Sequence, residues 1–151
     1  MILRPRWILL GVFAAAIALC VSGCAEEKKA RLEIEDYELS LGKESGDSNI
    51  YSIDAKGTVA NKGDVDVKNV EITGYCTSCG EEIINGQWFV SDYEKTRDQK
   101  DVIGYLPAGA TEEFEFKDIA FYPAPEGIQA PKEVPEDHDF EIVIESHEIA
   151  D

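Results

Sequence analysis

Apolar and polar residues alternate along most of this chain, and alternation is the pattern of strands half-buried in a sheet. "RLEIE" sets Leu32 and Ile34 on one face, and "YELSL" sets Tyr37, Leu39 and Leu41 on one face with the phase slipped by one. A one-residue slip inside a strand predicts a bulge or break near Asp36. "IYSIDAKGTVAN" alternates through Tyr51, Ile53, Ala55, Gly57 and Val59, and "NKGD" at 61–64 has the chemistry of a hairpin turn. "VDVKNVEITGYC" carries Val65 and Val67, then Val70 and Ile72, with a second slip between the pairs. "IINGQWFVSDY" is a further strand candidate through Trp88 and Val90, interrupted by Asn85-Gly86, and "EKTRDQKD" is a polar loop. "VIGYLPAGATEEFEFKDIAFYP" predicts a short strand, a "PAGA" turn and a strand bearing Phe114 and Phe116. "PAPEGIQAPKEVPEDH" holds four prolines and predicts an extended loop. "DFEIVIESHEI" closes the chain with Phe140, Ile142 and Ile144 on one face. Beyond the first thirty residues no amphipathic helix of ten or more residues can be drawn. About seven short strands separated by Gly, Asn, Asp and Pro turns predict an all-β antiparallel β-sandwich, with a small closed barrel as the alternative.

The N-terminus has a different pattern. Arg4 and Arg6 precede an uncharged apolar run, Trp7 to Leu19. As a helix that run would span only about 20 Å, short for a membrane crossing and suited to the core of a signal peptide. It ends in Val21-Ser22-Gly23-Cys24, which resembles the lipobox of prokaryotic lipoproteins. The resemblance implies cleavage before Cys24 and a thioether-linked lipid on that cysteine. Acyl chains then anchor the protein, at roughly 0.8 kcal/mol per buried methylene. The alternative is an ordinary secretory signal cut nearby, with Cys24 incidental. The expected organisation is a signal peptide at 1–23, a lipidated tether at 24–30 and one β-sandwich domain at 31–151. The expected location is outside the cytoplasmic membrane, with the membrane itself a partner through the lipid.

That location bears on the cysteines. Cys20 lies in the signal and Cys24 carries the lipid, so Cys76 and Cys79 remain, in a compartment where thiols tend to oxidise. "YCTSCGEE" has three readings. A disulfide between Cys76 and Cys79 would close a very small loop and fix one hairpin tip. A redox pair would want a helix N-terminus to lower the attacking thiol's pKa, whereas here strands flank it and Glu81 and Glu82 follow. A metal site would need about four ligands. Cys76 and Cys79 with His138 supply three, and His147 is the other histidine. On one strand the two histidines lie about 30 Å apart, so only one of them can join the cysteines. Tyr75, Trp88, Phe89 and Tyr93 surround the pair in sequence, either as core or as a binding surface.

Charge narrows the partners. The chain carries a formal net charge of −17, and loss of residues 1–23 removes two arginines and no acid, giving −19. Such a surface repels nucleic acid and anionic headgroups. Asp64/Asp66 and Asp137/Asp139 are acidic pairs, but no EF-hand loop surrounds them. There is no Gly-x-Ser-x-Gly, HExxH, P-loop or dinucleotide fingerprint, so no catalytic set and no cofactor is expected.

From about residue 50 to 122, a little over half of the mature chain, the sequence resembles the FxLYD family and its immunoglobulin-like relatives in prokaryotic surface proteins. "GTVANKGDVDVKNVEITGY" matches the strand, Asn-x-Gly turn and second strand, and "YLPAGATEEFEF" matches the turn leading into a Phe-bearing strand. The family's Phe-x-Leu-Tyr-Asp stretch would follow Ile72, where this chain reads "TGYCTSCGEE" and only Tyr75 corresponds. The resemblance implies a non-catalytic accessory or binding domain and brings no active-site residues. The function expected is therefore an envelope lipoprotein that binds or spaces an unknown partner. The alternative is a metal- or thiol-handling lipoprotein that uses the cysteine pair.

Overall fold

The computed structural model describes residues 28–44, 49–91 and 94–151. Cys24, the signal segment and Tyr93 lie outside the described residues. Among the described residues seven strands form two antiparallel sheets. They are β1 (Leu32–Lys43), β2 (Ile50–Asn61), β3 (Val67–Cys76), β4 (Lys100–Leu106), β5 (Thr111–Phe116), β6 (Phe121–Pro123) and β7 (Phe140–Ile149). β2 lies between β1 on one side and β5 and β6 on the other. β3 lies between β4 and β7. The chain crosses between sheets from β2 to β3 and from β4 to β5, so both inner faces meet in one core. This is an all-β antiparallel sandwich of two sheets, as the alternation predicts.

The core takes Ile53, Ala55 and Val59 from β2, Val67, Val70 and Ile72 from β3, Phe114 and Phe116 from β5 and Ile142 from β7, with Leu106, Ile119 and Ala120. These are the in-phase apolar positions. Tyr37 is in phase too, but on the edge strand β1 it stays half exposed.

Both phase slips are bulges. The β1–β2 register shifts between Ile34 and Asp36. The bulge brings the Asp36 carbonyl over Gly57, where any Cβ would collide with it. In β3, Asn69 takes a left-handed φ of 51° and the register with β7 shifts beside it. Asparagine tolerates that conformation better than most residues. The extra residue lets Val67 and Val70 both point inward, and both are fully buried.

Two expectations need correction. The described residues of the strand candidate, 83–91, do not form a ladder strand. Gln87 N donates to the Ile84 carbonyl in a tight turn, and Gly86 takes φ 78°. Phe89 alone bridges, to Gly80 and Phe121. Long-range pairing with the short β6, which the pattern did not reveal, outweighs local alternation here. The polar run 94–101 is likewise only partly a loop. It forms a single 3-10 turn at Arg97–Gln99 and then enters β4. The side chain of Gln99 donates to the Asp118 carbonyl, and Thr73 Oγ1 donates to the Gln99 carbonyl, which buries the outer face of β3 at that point.

The two ends of the sandwich differ. At one pole Lys29 accepts from Asp64 N, Arg31 accepts from Lys62 N, and Ala150 N donates to the Asp66 carbonyl. The incoming chain, the β2–β3 turn, the β4–β5 turn and the end of β7 therefore meet there. Strands of ten residues put the opposite pole about 30 Å away. That distal pole holds the cysteine turn, residues 80–90, β6 and the proline-bearing loop.

At the incoming pole Asp66 accepts from the Tyr105 hydroxyl and from Ala108 N at 2.9 Å. These two donors, Tyr105 first, hold its carboxyl below the usual value. A carboxyl lowered in the folded state contributes stability above its unfolded pKa, lost as pH falls through the folded value. Asp66→Asn is therefore expected to reduce the loss of stability on acidification below roughly pH 4. Urea midpoints measured along a pH series check this, and an unchanged acid limb counts against it.

Candidate functional site

The cysteine turn is built where β3 runs out. Cys76 ends the strand facing the core and is 7% exposed. Cys79 is partly buried against the same core, and the Cα atoms lie 5.4 Å apart with the two sulfurs bonded. The turn is held from two sides. Thr77 N donates to the Asp139 carbonyl at 2.9 Å, and Asp139 N donates to Ser78 Oγ at 2.8 Å, which ties it to the start of β7. Gly80 N donates to the Trp88 carbonyl and Val90 N to the Gly80 carbonyl, which ties it to the returning segment.

Trp88 is 7% exposed and belongs to the core cluster, packed on Tyr122 with ring centroids 5.2 Å apart. Tyr75 points the other way from Cys76, to the outer face. Its hydroxyl donates to Glu145, and the Lys95 ammonium sits over its ring at 4.5 Å. The Glu145 carboxylate pushes the Tyr75 phenol up to about 12. Burial lowers the Lys95 pKa, and its Nζ donates to the Gly74 carbonyl at 2.6 Å. Of the four aromatics near the cysteines in sequence, Trp88 is core and Tyr75 is outer surface.

His138 is brought to the cysteine turn and His147 is not. His138 lies just before β7, in a cleft of about 410 Å³ that it shares with Ser78, Gly80, Trp88 and Tyr122. Its Nδ1 faces Asp137 Oδ1 at 3.0 Å. His147 lies in the exposed end of β7, near the incoming pole. Among the described residues no group of three His, Cys, Asp or Glu side chains converges as metal ligands. The cysteine sulfurs face each other, and thiolate ligation would need that bond reduced. The acidic pairs are engaged elsewhere, Asp66 by Tyr105 and Ala108, and Asp137 by His138.

Sequence reasoning missed the exposed apolar side chains of the distal pole. Ile83 is 74% exposed, Ile84 43% and Ile128 40%. Their signal was adjacent apolar residues at a turn, Ile83-Ile84 before Asn85-Gly86, which an alternation reading assigns to a strand. Among the described residues no helix is long and apolar enough to cross a membrane.

Comparison with protein-family models, with curated proteins and with solved structures finds no match for this chain.

Proposed function

We propose that this protein is a non-catalytic lipoprotein of the cell envelope, anchored outside the cytoplasmic membrane by lipid on Cys24, whose FxLYD-like sandwich presents a disulfide-clipped tip to a binding partner. The observation that carries the reading is the polarity of the domain. The chain enters at one pole, and the Cys76–Cys79 turn lies at the other, about one strand length away. A lipid a few residues before Lys28 would hold the incoming pole at the bilayer and project the cysteine tip into the envelope. The formal charge of −19 after signal cleavage favours solubility and disfavours contact with anionic lipid. The turn's position between strands, with Glu81 and Glu82 beside it, favours a structural disulfide over a reactive thiol pair.

Intact mass of the protein isolated from its host without reductant tests the reading, before and after alkylation, with metal analysis of the same sample. The expected result is a chain beginning at Cys24 with added acyl mass, no associated metal, and Cys76 and Cys79 resistant to alkylation until reduced. A chain without acyl mass overturns the anchor. Freely reacting thiols, or one metal ion per chain, support the thiol- or metal-handling alternative, in which His138 is the nearest additional ligand.

A further inference from the structure

Two turns lie side by side at the distal pole. One is closed by Gln87 N donating to the Ile84 carbonyl, the other by Ile128 N donating to the Pro125 carbonyl. They pack on each other: a Cβ at Gly86 would sit 3.3 Å from Ile128 Cδ1 and 3.6 Å from the Tyr122 hydroxyl. Ile83 and Ile84 on one turn and Ile128 on the other are thus exposed on adjoining turns, at one corner of the domain. The remaining exposed large apolar side chains lie on strands, two of them, Val102 and Tyr105, on β4, and Tyr105 is held by Asp66. Exposed isoleucines on two adjoining turns are a different case, because contiguous apolar surface on a soluble domain marks contact sites.

The charged residues next to the isoleucines in sequence are acidic, the first lysine beyond them being Lys132. Residues 77–90 and 120–130 contain no lysine or arginine, while Glu81, Glu82 and Glu126 are exposed beside the isoleucines. A phospholipid surface is a poor occupant, because anionic headgroups meet like charge. A second copy is a poor occupant too, because an isologous contact sets the acidic rim against itself. The corner is also held in shape before any partner arrives. The disulfide and the Gly80–Trp88 and Val90–Gly80 hydrogen bonds fix the loop at its base, and preorganisation lowers the cost of binding. Trp88 lines the adjoining cleft.

We propose that the corner formed by Ile83, Ile84 and Ile128 is the docking surface for a protein partner that offers an apolar pocket rimmed by lysine or arginine. This rests on the reading of the domain as a binding module and names the face and the chemistry of its partner.

The test places a benzophenone amino acid at position 83 in the full chain, expressed in its own host, with position 102 on the outer sheet face as control. Crosslinks from position 83 are expected to map to one protein, on a surface where apolar side chains are flanked by Lys or Arg. Glu81→Lys with Glu82→Lys is expected to cut the adduct roughly tenfold or more, as is Ile84→Asp. These side chains are exposed, so an unchanged melting temperature shows that the variants fold. Four outcomes overturn the proposal: adducts to lipid, adducts to a second copy, adducts no stronger than those from position 102, or adducts indifferent to charge reversal. The intact-mass measurement reads the anchored-module function separately. Acyl mass and a resistant disulfide without a position-83 adduct remove this inference alone.

Discussion

Replacing Asn61 by alanine is expected to destabilise the domain by about 2–4 kcal/mol, although the residue is polar and sits at the end of a strand. Asn61 is fully buried at the end of β2. Its Nδ2 donates to the Val65 carbonyl at 2.8 Å and to the Leu106 carbonyl at 3.2 Å, and its Oδ1 accepts from Gly63 N at 3.0 Å. One side chain thus closes the β2–β3 turn and links it to the end of β4 in the opposite sheet. Alanine removes these partners, and the Leu106 carbonyl among them is buried, where an unmet polar group costs about 1–3 kcal/mol. Gly63 adds a constraint of its own, since a Cβ there would collide with the incoming chain at Lys29. This is a physical reason for Asn-x-Gly in "VANKGDV" beyond simple turn propensity. Urea unfolding of the alanine variant checks the estimate, and a loss below about 0.5 kcal/mol, the usual size for a surface change, would sink it.

The same segment shows how far a sequence can be read. Alternation reports which side chains face a core, and a phase slip has to be absorbed by an extra residue. The slips near Asp36 and between Val67 and Val70 therefore located two bulges correctly. The inward positions Ile53, Ala55, Val59, Ile72, Phe114, Phe116 and Ile142 follow the same rule. What alternation cannot report is the partner of a segment. "IINGQWFV" reads as a strand because Trp88 and Val90 are in phase. In the fold its only ladder partners are single residues, and Trp88 reaches the core from a loop. The three-residue β6 is too short to carry a period. The meeting of the cysteine turn with His138 depends on β3 ending where β7 begins, with Cys76 opposite Phe140, and that is a matter of register across 64 residues of chain. The polarity of the domain, on which the proposed function rests, belongs to the same class of information.

Phe114→Ala is expected to have the largest effect of any change considered, about 3–5 kcal/mol. Phe114 is 2% exposed and lies opposite Gly57, its ring 5.9 Å from that of Phe116. Gly57 has no side chain because the β1 bulge crowds it, so the Phe114 ring fills the space a neighbour would otherwise occupy. Alanine would open a cavity at the contact of three strands, and the bulged backbone cannot collapse into it without breaking the β1–β2 ladder. The comparison that gives this number meaning is removal of the disulfide. Cys76 and Cys79 are three apart in sequence, and closing so short a loop contributes at most about 2 kcal/mol by chain entropy. Cys76→Ser with Cys79→Ser should therefore leave a folded sandwich with a loosened tip, whereas Phe114→Ala should weaken both sheets together. Urea midpoints of the two variants decide the order. If the serine variant lost more than Phe114→Ala, the clip would be holding the sheets, and tip and fold would be inseparable. The expected order instead leaves the tip free to be varied on a stable frame, as a surface built for recognition requires.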